Sequence, residues 1–254
     1  MNDKSYSFET IGTVHSCFKE KFGIPRQPGL VNSATGTIKL IPPYNHKDSI
    51  RGLEDFSHIW VLFIFHGIKQ KLWKPTVRPP RLGGNERLGV FATRSTHRPN
   101  AIGMSVVKLD EIIANDKEVI LKISSIDLLD GTPVVDIKPY IPYSDSRLDA
   151  IGGYANDAPS TSISVDFSAK AKQMLNTFAA EEKLELETLI IETLQLDPRP
   201  AYYKSAPNKQ TSVHSSSLHQ NNSSNVNKEF GMRLKNWNIK WRQDNERALV
   251  TEIQ

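Results

Sequence analysis

The stretch Ser57 to Phe65, SHIWVLFIF, decides how the fold is read. It is almost entirely apolar and rich in β-branched and aromatic residues, the types that fit a pleated surface. At nine residues it is strand-sized, well short of the ~18 apolar residues of a membrane-spanning helix. Such a run predicts a strand buried on both faces, or buried on one face and covered at a subunit contact on the other.

Working outward, the neighbouring segments have the same character. Residues 7 to 14 alternate, with Phe8, Thr10, Gly12 and Val14 opposed to Ile11 and Thr13, and Gly36 to Ile41 (GTIKLI) alternates as well. Leu88 to Thr93, Met104 to Leu109, Val119 to Ile126 and Val134 to Ile137 follow as short strands punctuated by Gly, Pro and Asn. The gaps leave little room for helices, which points to an all-β barrel or sandwich rather than βαβ units. The pattern changes after Pro159. Ser162 to Phe167 reads as a last strand, and Ser168 can cap a helix with Ala171, Met174, Leu175, Phe178 and Ala179 on one face. A second helix is expected over Leu184 to Leu196, with Leu186, Leu189, Ile190 and Leu194 inward, stopped by Asp197-Pro198-Arg199-Pro200. Lys204 to Lys228 is Ser/Asn/Gln-rich with few apolar residues, the composition of a flexible loop. Phe230 to Trp241 and Ala248 to Ile253 read as a terminal β-hairpin with Trp237, Ile239 and Trp241 on one face. The expected organisation is a domain over residues 1–167 and a smaller α+β domain over residues 168–254.

Composition narrows the classes. Of 254 residues, 38% are hydrophobic and 24% charged, which supports a sizeable core. No apolar run is long enough to cross a membrane, and Met1 to Ser5 lacks the apolar centre of a signal peptide. Cys17 is the single cysteine, so neither an internal disulfide nor a thiolate metal site is available. These features set the expectation of a cytoplasmic protein. The net charge of +4 is modest, but its distribution is uneven. Arginines 78, 81, 87, 94 and 98 face one acid, Glu86, and Lys228, Arg233, Lys235, Lys240 and Arg242 face Glu229. Two such clusters can form one phosphate-binding face.

Three motifs stand out. Arg78 to Ser105 (RPPRLGGNERLGVFATRSTHRPNAIGMS) mixes arginine, which pairs bidentately with phosphate or carboxylate, with glycine, which permits close backbone approach. Ile24 to Leu30 (IPRQPGL) is a proline-bracketed loop holding Arg26 and Gln27; from this segment alone a rigid connector is the favoured reading, and a loop offering a cation and an amide to a small ligand is the alternative. Asp127 to Tyr140 (DLLDGTPVVDIKPY) contains the turn signal Asp130-Gly131, followed by Asp136, Lys138 and Tyr140 on one strand face. An Asp–Lys ion pair is the plain reading of that face. His58 and His66 are eight residues apart without a third ligand, and no metal, P-loop, GxSxG or dinucleotide motif is present. No metal is expected.

In combination, IPRQPGL, SHIWVLFIFH, RPPRLGG, GVFATRSTHRPNAIGMS, LDGTPVVDIKPY and DPRPAYY closely resemble the tRNA (adenine-37 N6)-methyltransferases. The resemblance runs from about Phe8 to Tyr202 and resumes at the terminal hairpin. It implies a mainly β fold, a small antiparallel β-barrel with a smaller α+β C-terminal domain. It also implies S-adenosylmethionine (S-adenosyl-L-methionine) as cofactor, a homodimer, and tRNA carrying N6-threonylcarbamoyladenosine at position 37 as substrate. The cofactor contacts it implies fall on Pro25, Arg26, Gln27, His66, Gly67, Arg94, Met104, Leu129, Asp130, Gly131 and Thr132. Ala101 stands where the family has a second proline, Gly67 where a larger polar residue is expected, and the stretch before the last hairpin looks like an insertion.

The chemistry suggests further roles. The acceptor nitrogen of such a substrate is delocalised and must lose its proton, so a general base helps. Asp136 is the candidate, Asp130 the alternative, with Tyr140 to orient the base. The threonyl carboxylate calls for a cation, for which Arg98 and Arg199 are the candidates. Lys235 and Lys240, in the basic hairpin, are expected to meet tRNA phosphates. The competing reading is a non-catalytic RNA- or nucleotide-binding β-barrel module, which cofactor binding distinguishes.

Overall fold

The computed structural model describes residues 5–68, 73–84, 86–200, 228–244 and 246–254. The barrel strands are β1 (Gly12–Ser16), β2 (Thr35–Leu40) and β3 (His58–Ile64), then, after a two-residue ladder of β4 (Thr76–Val77) and β5 (Leu88–Gly89), β6 (Ile102–Ala114), β7 (Val119–Ser124) and β8 (Pro133–Pro139). They close antiparallel in the order β1-β2-β7-β6-β3-β8. Closure removes the open edges of a sheet, and with them the unpaired backbone groups.

β3 alternates instead of burying both faces. Ile59, Val61 and Phe63 point into the barrel, whereas His58, Trp60, Leu62 and Ile64 are half-buried on its outside. The inner face joins Val107, Leu121, Ile123 and Val134 in the core. Gly103 lies directly across from Phe63, where a Cβ would stand 2.4 Å from the Phe63 ring; only glycine leaves that ring its place. The first strand starts at Gly12, later than the alternation suggested, and the expected strand Leu88 to Thr93 is two residues of strand followed by a 3-10 turn over Val90–Ala92.

The short helix α1 (Pro142–Asp145) follows β8. The C-terminal unit consists of β9 (Ser164–Phe167), α2 (Ala169–Leu175), α3 (Ala180–Gln195), β10 (Glu229–Leu234), β11 (Trp237–Gln243) and β12 (Arg247–Ile253). β9, expected to follow the barrel strands as the last of them, instead pairs in parallel with β12 in the sheet β10-β11-β12-β9. The expected terminal hairpin is therefore a three-stranded meander with a fourth, parallel strand. The Ser168 hydroxyl accepts from the Ala171 N–H as the N-cap of α2, a contact worth about 1 kcal/mol. α2 is shorter than expected and ends before Phe178. Leu186, Leu189, Ile190 and Leu194 of α3 are all buried, each contributing about 1.5–3 kcal/mol through apolar area removed from water. Apart from Lys228, the stretch Lys204 to Lys228 lies outside the described residues.

The loop between β1 and β2 joins the two units. Phe18 bridges to both Leu129 and Leu234, Phe22 stacks on Trp241 with ring centroids 5.8 Å apart, and Glu192 of α3 accepts from Ser33 N–H and Oγ at 2.9 and 2.7 Å. The same loop carries Pro25, Arg26 and Gln27, so its attachment at both ends fixes where those residues stand.

Candidate functional site

At one end of the barrel, three loops converge: the β1–β2 loop, the segment after β3, and the turn before β8. The turn Leu129 to Thr132 places Gly131 at a φ of +77°, a conformation that glycine adopts without strain. The Thr132 N–H and hydroxyl both donate to the Leu129 carbonyl at 3.2 and 2.7 Å, and the Asp130 and Gly131 N–H groups donate to Phe18 and Val14 carbonyls. The turn is thereby pinned to β1. Asp130 accepts from the Ser16 N–H at 2.8 Å and pairs with Lys19 at 3.0 Å. Burial pushes its carboxyl up, but those partners outweigh it and hold the pKa below the usual range. Asp130 is thus engaged as a structural anion, which argues against its use as a base.

Arg94 is exposed and donates to the Gln27 side-chain oxygen, so the ATRS and PRQ motifs meet. Pro25 is buried and Arg26 exposed. Partial burial lowers the Arg26 pKa, with Asp197 opposing. The Gly29 N–H donates to the Ser125 carbonyl at 2.9 Å, tying this loop to the end of β7. His66 and Gly67 are exposed just beyond β3. Gly67 lies beside Leu129, and its carbonyl accepts from Lys21 Nζ; a Cβ there would stand 2.7 Å from the Lys21 side chain, so Gly67 contributes backbone only. Together these residues fit a small zwitterionic ligand. Arg94 and Gln27 offer donors for a carboxylate, Leu129 an apolar contact, and the pinned turn a rigid edge.

Met104 is on the outer face of the barrel, 55% exposed and paired with Leu62. Asp136 occupies the same face opposite Leu62, paired with Lys138 at 2.8 Å and half exposed. Tyr140 stands at the far end of that face. Its N–H donates to the His58 carbonyl, and its ring packs against Trp60 and His58 with centroids 6.0 and 6.4 Å away. Four residues of strand, roughly 13 Å, separate Tyr140 from Asp136, so the expected orienting contact is not made; Lys138 takes that place. Trp60, Leu62, Met104, Lys138, Pro139, Ile141 and Asp145 line a mostly apolar groove of about 620 Å³ here.

The two candidate arginines differ. Arg98 lines a cleft of about 300 Å³ with Phe91, Pro99, Asn100 and Ile102. One of its terminal nitrogens (Nη1) donates to the Thr93 and Val90 carbonyls at 2.6 and 3.3 Å, and among the described residues no carboxylate pairs with it. Arg199, in contrast, is only 5% exposed. Its Nε and Nη2 engage Asp197 bidentately at 2.8 and 2.9 Å, and Nη1 donates to the Gln243 carbonyl at 3.1 Å. Arg199 is therefore a structural cation of the C-terminal core, not a group presented to a substrate. Lys235 and Lys240 are also taken up, by Glu185 at 2.7 Å and Glu252 at 2.8 Å. The basic hairpin presents Arg233 and Arg242 more openly, with Arg242 only 3.8 Å from Glu229.

A residue that was not singled out in the sequence is Asp127. Its carboxylate accepts from the buried Ser105 hydroxyl at 2.6 Å. Burial pushes it up to about 6, against Ser105 and Arg94, which lower it. The signal available in the sequence was its position three residues before Asp130, at the end of an apolar strand.

Comparisons with known proteins identify the family. Residues 13–146 match the tRNA-methyltransferase O N-terminal domain, and residues 160–254 the TrmO C-terminal domain. A tRNA (adenine(37)-N6)-methyltransferase of Escherichia coli strain K12 is 49% identical over 239 residues, covering 94% of this chain and 93% of that protein. A Pseudomonas aeruginosa protein named as an S-adenosylmethionine-dependent methyltransferase is 48% identical over 209 residues, covering 82% and 88%. The crystal structure of TrmO from Pseudomonas aeruginosa superposes with a TM-score of 0.75 at 36% identity, covering 99% of each chain. The chain belongs to the tRNA-methyltransferase O family, by two family domains that between them span both its barrel and its C-terminal sheet.

Proposed function

We propose that this chain transfers a methyl group from S-adenosylmethionine to N6 of adenosine 37 in tRNA, and that the adenosine already carries the N6-threonylcarbamoyl group. The observation that carries the reading is the convergence of Gln27, Arg94 and the Leu129–Thr132 turn at one barrel end, in a chain with this family membership. When bound, the cofactor supplies an electrophilic methyl group on a sulfonium. The protein's contribution is to hold and align. Arg94 and Gln27 anchor the cofactor's charged end, the turn and Gly67 border it, and Arg98, which pairs with no carboxylate among the described residues, receives the threonyl carboxylate. Asp136 remains the candidate to accept the N6 proton; it is half exposed on the face that also bears Met104. Full turnover in Asp136→Asn with unchanged cofactor binding would exclude it.

The homodimer implied by the resemblance is supported by the outer face of β3. Trp60, Leu62 and Met104 line its apolar groove, and Tyr143, Leu148 and Ile151 just beyond it are 88–100% exposed. A second copy covering this face would bury them and would bring Asp136 into an interface. No helix among the described residues is long and apolar enough to cross a membrane, and a tRNA substrate supports a cytoplasmic setting.

The deciding experiment is transfer of tritium from labelled S-adenosylmethionine to tRNA with and without the threonylcarbamoyl group. Transfer to the modified pool alone is expected. Equal transfer to both would remove the acceptor assignment, and failure to bind the cofactor would favour a non-catalytic RNA-binding module.

A further inference from the structure

We propose that Phe91 is the stacking platform for the acceptor base: its ring carries the purine of the modified adenosine, beside Arg98 and with Asn100 at the base's edge. The inference rests on the methyltransfer reading above and deepens it by naming the groups that hold the base. Phe91 is 75% exposed, yet its backbone belongs to a turn that is firmly held. Its neighbour Val90 is buried at 1%. The Val90 N–H donates to the Pro75 carbonyl at 2.9 Å, and the Val90 carbonyl accepts from the Thr93 N–H and hydroxyl at 3.2 and 2.9 Å. The turn thus buries one apolar side chain and sets the next, an aromatic ring, in water on a fixed base.

An exposed apolar side chain by itself is ordinary; here the neighbours specify a ligand. The Arg98 guanidinium stands over the ring, 5.8 Å from its centroid, and is held there by the Thr93 and Val90 carbonyls. Ring and guanidinium line one cleft of about 300 Å³ with Pro99, Asn100 and Ile102, and the Asn100 amide is exposed. An aromatic face, a guanidinium and an amide are the groups on which unpaired RNA bases stack and by which an adenine edge is read. The cleft also adjoins the segments assigned to the cofactor. Thr93, whose carbonyl holds Arg98, precedes Arg94, which meets Gln27. Ala101, next to Asn100, accepts from the Phe65 N–H at 2.8 Å, and Phe65 precedes His66. A base taken out of its stack for chemistry loses its neighbours' faces, and the enzyme has to supply a substitute. Phe91 is that substitute, and Arg98 beside it meets the carboxylate that the same base carries on N6.

The test is steady-state methyl transfer by the full chain, from S-adenosylmethionine to tRNA carrying the threonylcarbamoyl group, with calorimetric cofactor affinity and Tm measured on the same variants. Phe91→Ala should lower kcat/KM for this tRNA about 5- to 150-fold, with cofactor affinity and Tm close to the parent's because the ring is in solvent. Phe91→Tyr keeps a stacking face and should retain most of the activity. Phe91→Leu keeps apolar bulk without that face and should fall with the alanine variant. Parent-like kcat/KM in Phe91→Ala, or equal losses in Phe91→Tyr and Phe91→Leu, would overturn the inference while leaving the methyltransferase reading intact. A loss of cofactor affinity large enough to account for the loss in kcat/KM would overturn it as well, by placing the ring against the cofactor. Should Phe91→Ala fail to fold, the contrast between tyrosine and leucine decides. If the parent transfers no methyl group to this tRNA, the underlying reading falls and takes the inference with it.

Discussion

Arg94 donates to the side-chain oxygen of Gln27 across 67 positions of sequence, and this one contact joins the two motifs that flank the barrel end. Neither loop has regular structure there to hold its side chain, so each depends on the other. Single substitutions at Arg94 and Gln27 should therefore not be additive. In a double-mutant cycle read by cofactor affinity, Arg94→Ala and Gln27→Ala are expected to show a coupling of about 0.5–3 kcal/mol. Arg94→Lys should fall short of the parent as well, because an ammonium lacks the planar fork. Strict additivity would mean that the contact does not contribute to cofactor binding.

Arg98 and Arg199 should separate cleanly. Arg199→Ala removes a buried guanidinium that grips Asp197 bidentately and donates to the Gln243 carbonyl, so it is expected to cost about 3–5 kcal/mol, seen as a large fall in Tm. Arg98→Ala, at a half-buried cleft position, should leave Tm nearly unchanged and narrow the preference for threonylcarbamoyl-bearing tRNA over unmodified tRNA. Unchanged selectivity would transfer the carboxylate-binding role elsewhere.

These two arginines also show what the sequence could and could not convey. Local patterns were legible: the alternation behind β3, the Ser168 cap and the buried face of α3 depend on residues within a turn or a strand of each other. Non-local pairings were not. β9 looks like any short strand, and only its parallel register with β12, more than 80 residues away, assigns it to the C-terminal sheet. Arg199 sits between two prolines and reads as an exposed loop cation, yet Asp197 two residues earlier and the Gln243 carbonyl 44 residues later bury it. Asp127 likewise owes its raised pKa to burial that the sequence does not display, and its side-chain hydrogen bond comes from Ser105, 22 residues away on β6. The motifs picked out loops that meet at one end of the barrel, but they did not distinguish the acids that hold structure from those poised near neutrality.

The pKa of Asp127 makes stability pH-dependent in an unusual direction for a carboxylate. Its folded value, about 6, lies above the ordinary 3.8. Between those values the folded state binds more protons than the unfolded state, so this group makes stability decline as pH rises through that window. The penalty is absent below about pH 4 and complete above pH 6. Asp127→Asn should then be more stable than the parent at pH 7.5 by about 1–3 kcal/mol, with the difference vanishing at pH 4. Thermal unfolding at a series of pH values checks this. A variant that is less stable than the parent at pH 7.5 would show that the charge is a net structural asset.

Glu252 works in the opposite direction and governs the basic hairpin. Hydrogen bonds from Lys170 and Lys240 lower its pKa to about 2, and the same contact raises that of Lys240. Its contribution to stability is present above the ordinary glutamate range and is lost as pH falls through its depressed value. Because Lys170 is largely exposed and Lys240 partly so, that contribution is small and screened by salt. The larger effect should be on RNA. Glu252→Gln removes the negative charge shared by two lysines, so tRNA affinity should rise and its salt dependence steepen by about one phosphate contact per lysine released. Lys240→Ala alone should change affinity little, since that charge is already offset by Glu252. Filter binding across 50–200 mM salt distinguishes the cases. A loss of affinity in Lys240→Ala as large as that in Arg233→Ala would mean that Lys240 leaves Glu252 for a phosphate when tRNA binds, and the hairpin's lysines would regain the role that the ion pairs take from them.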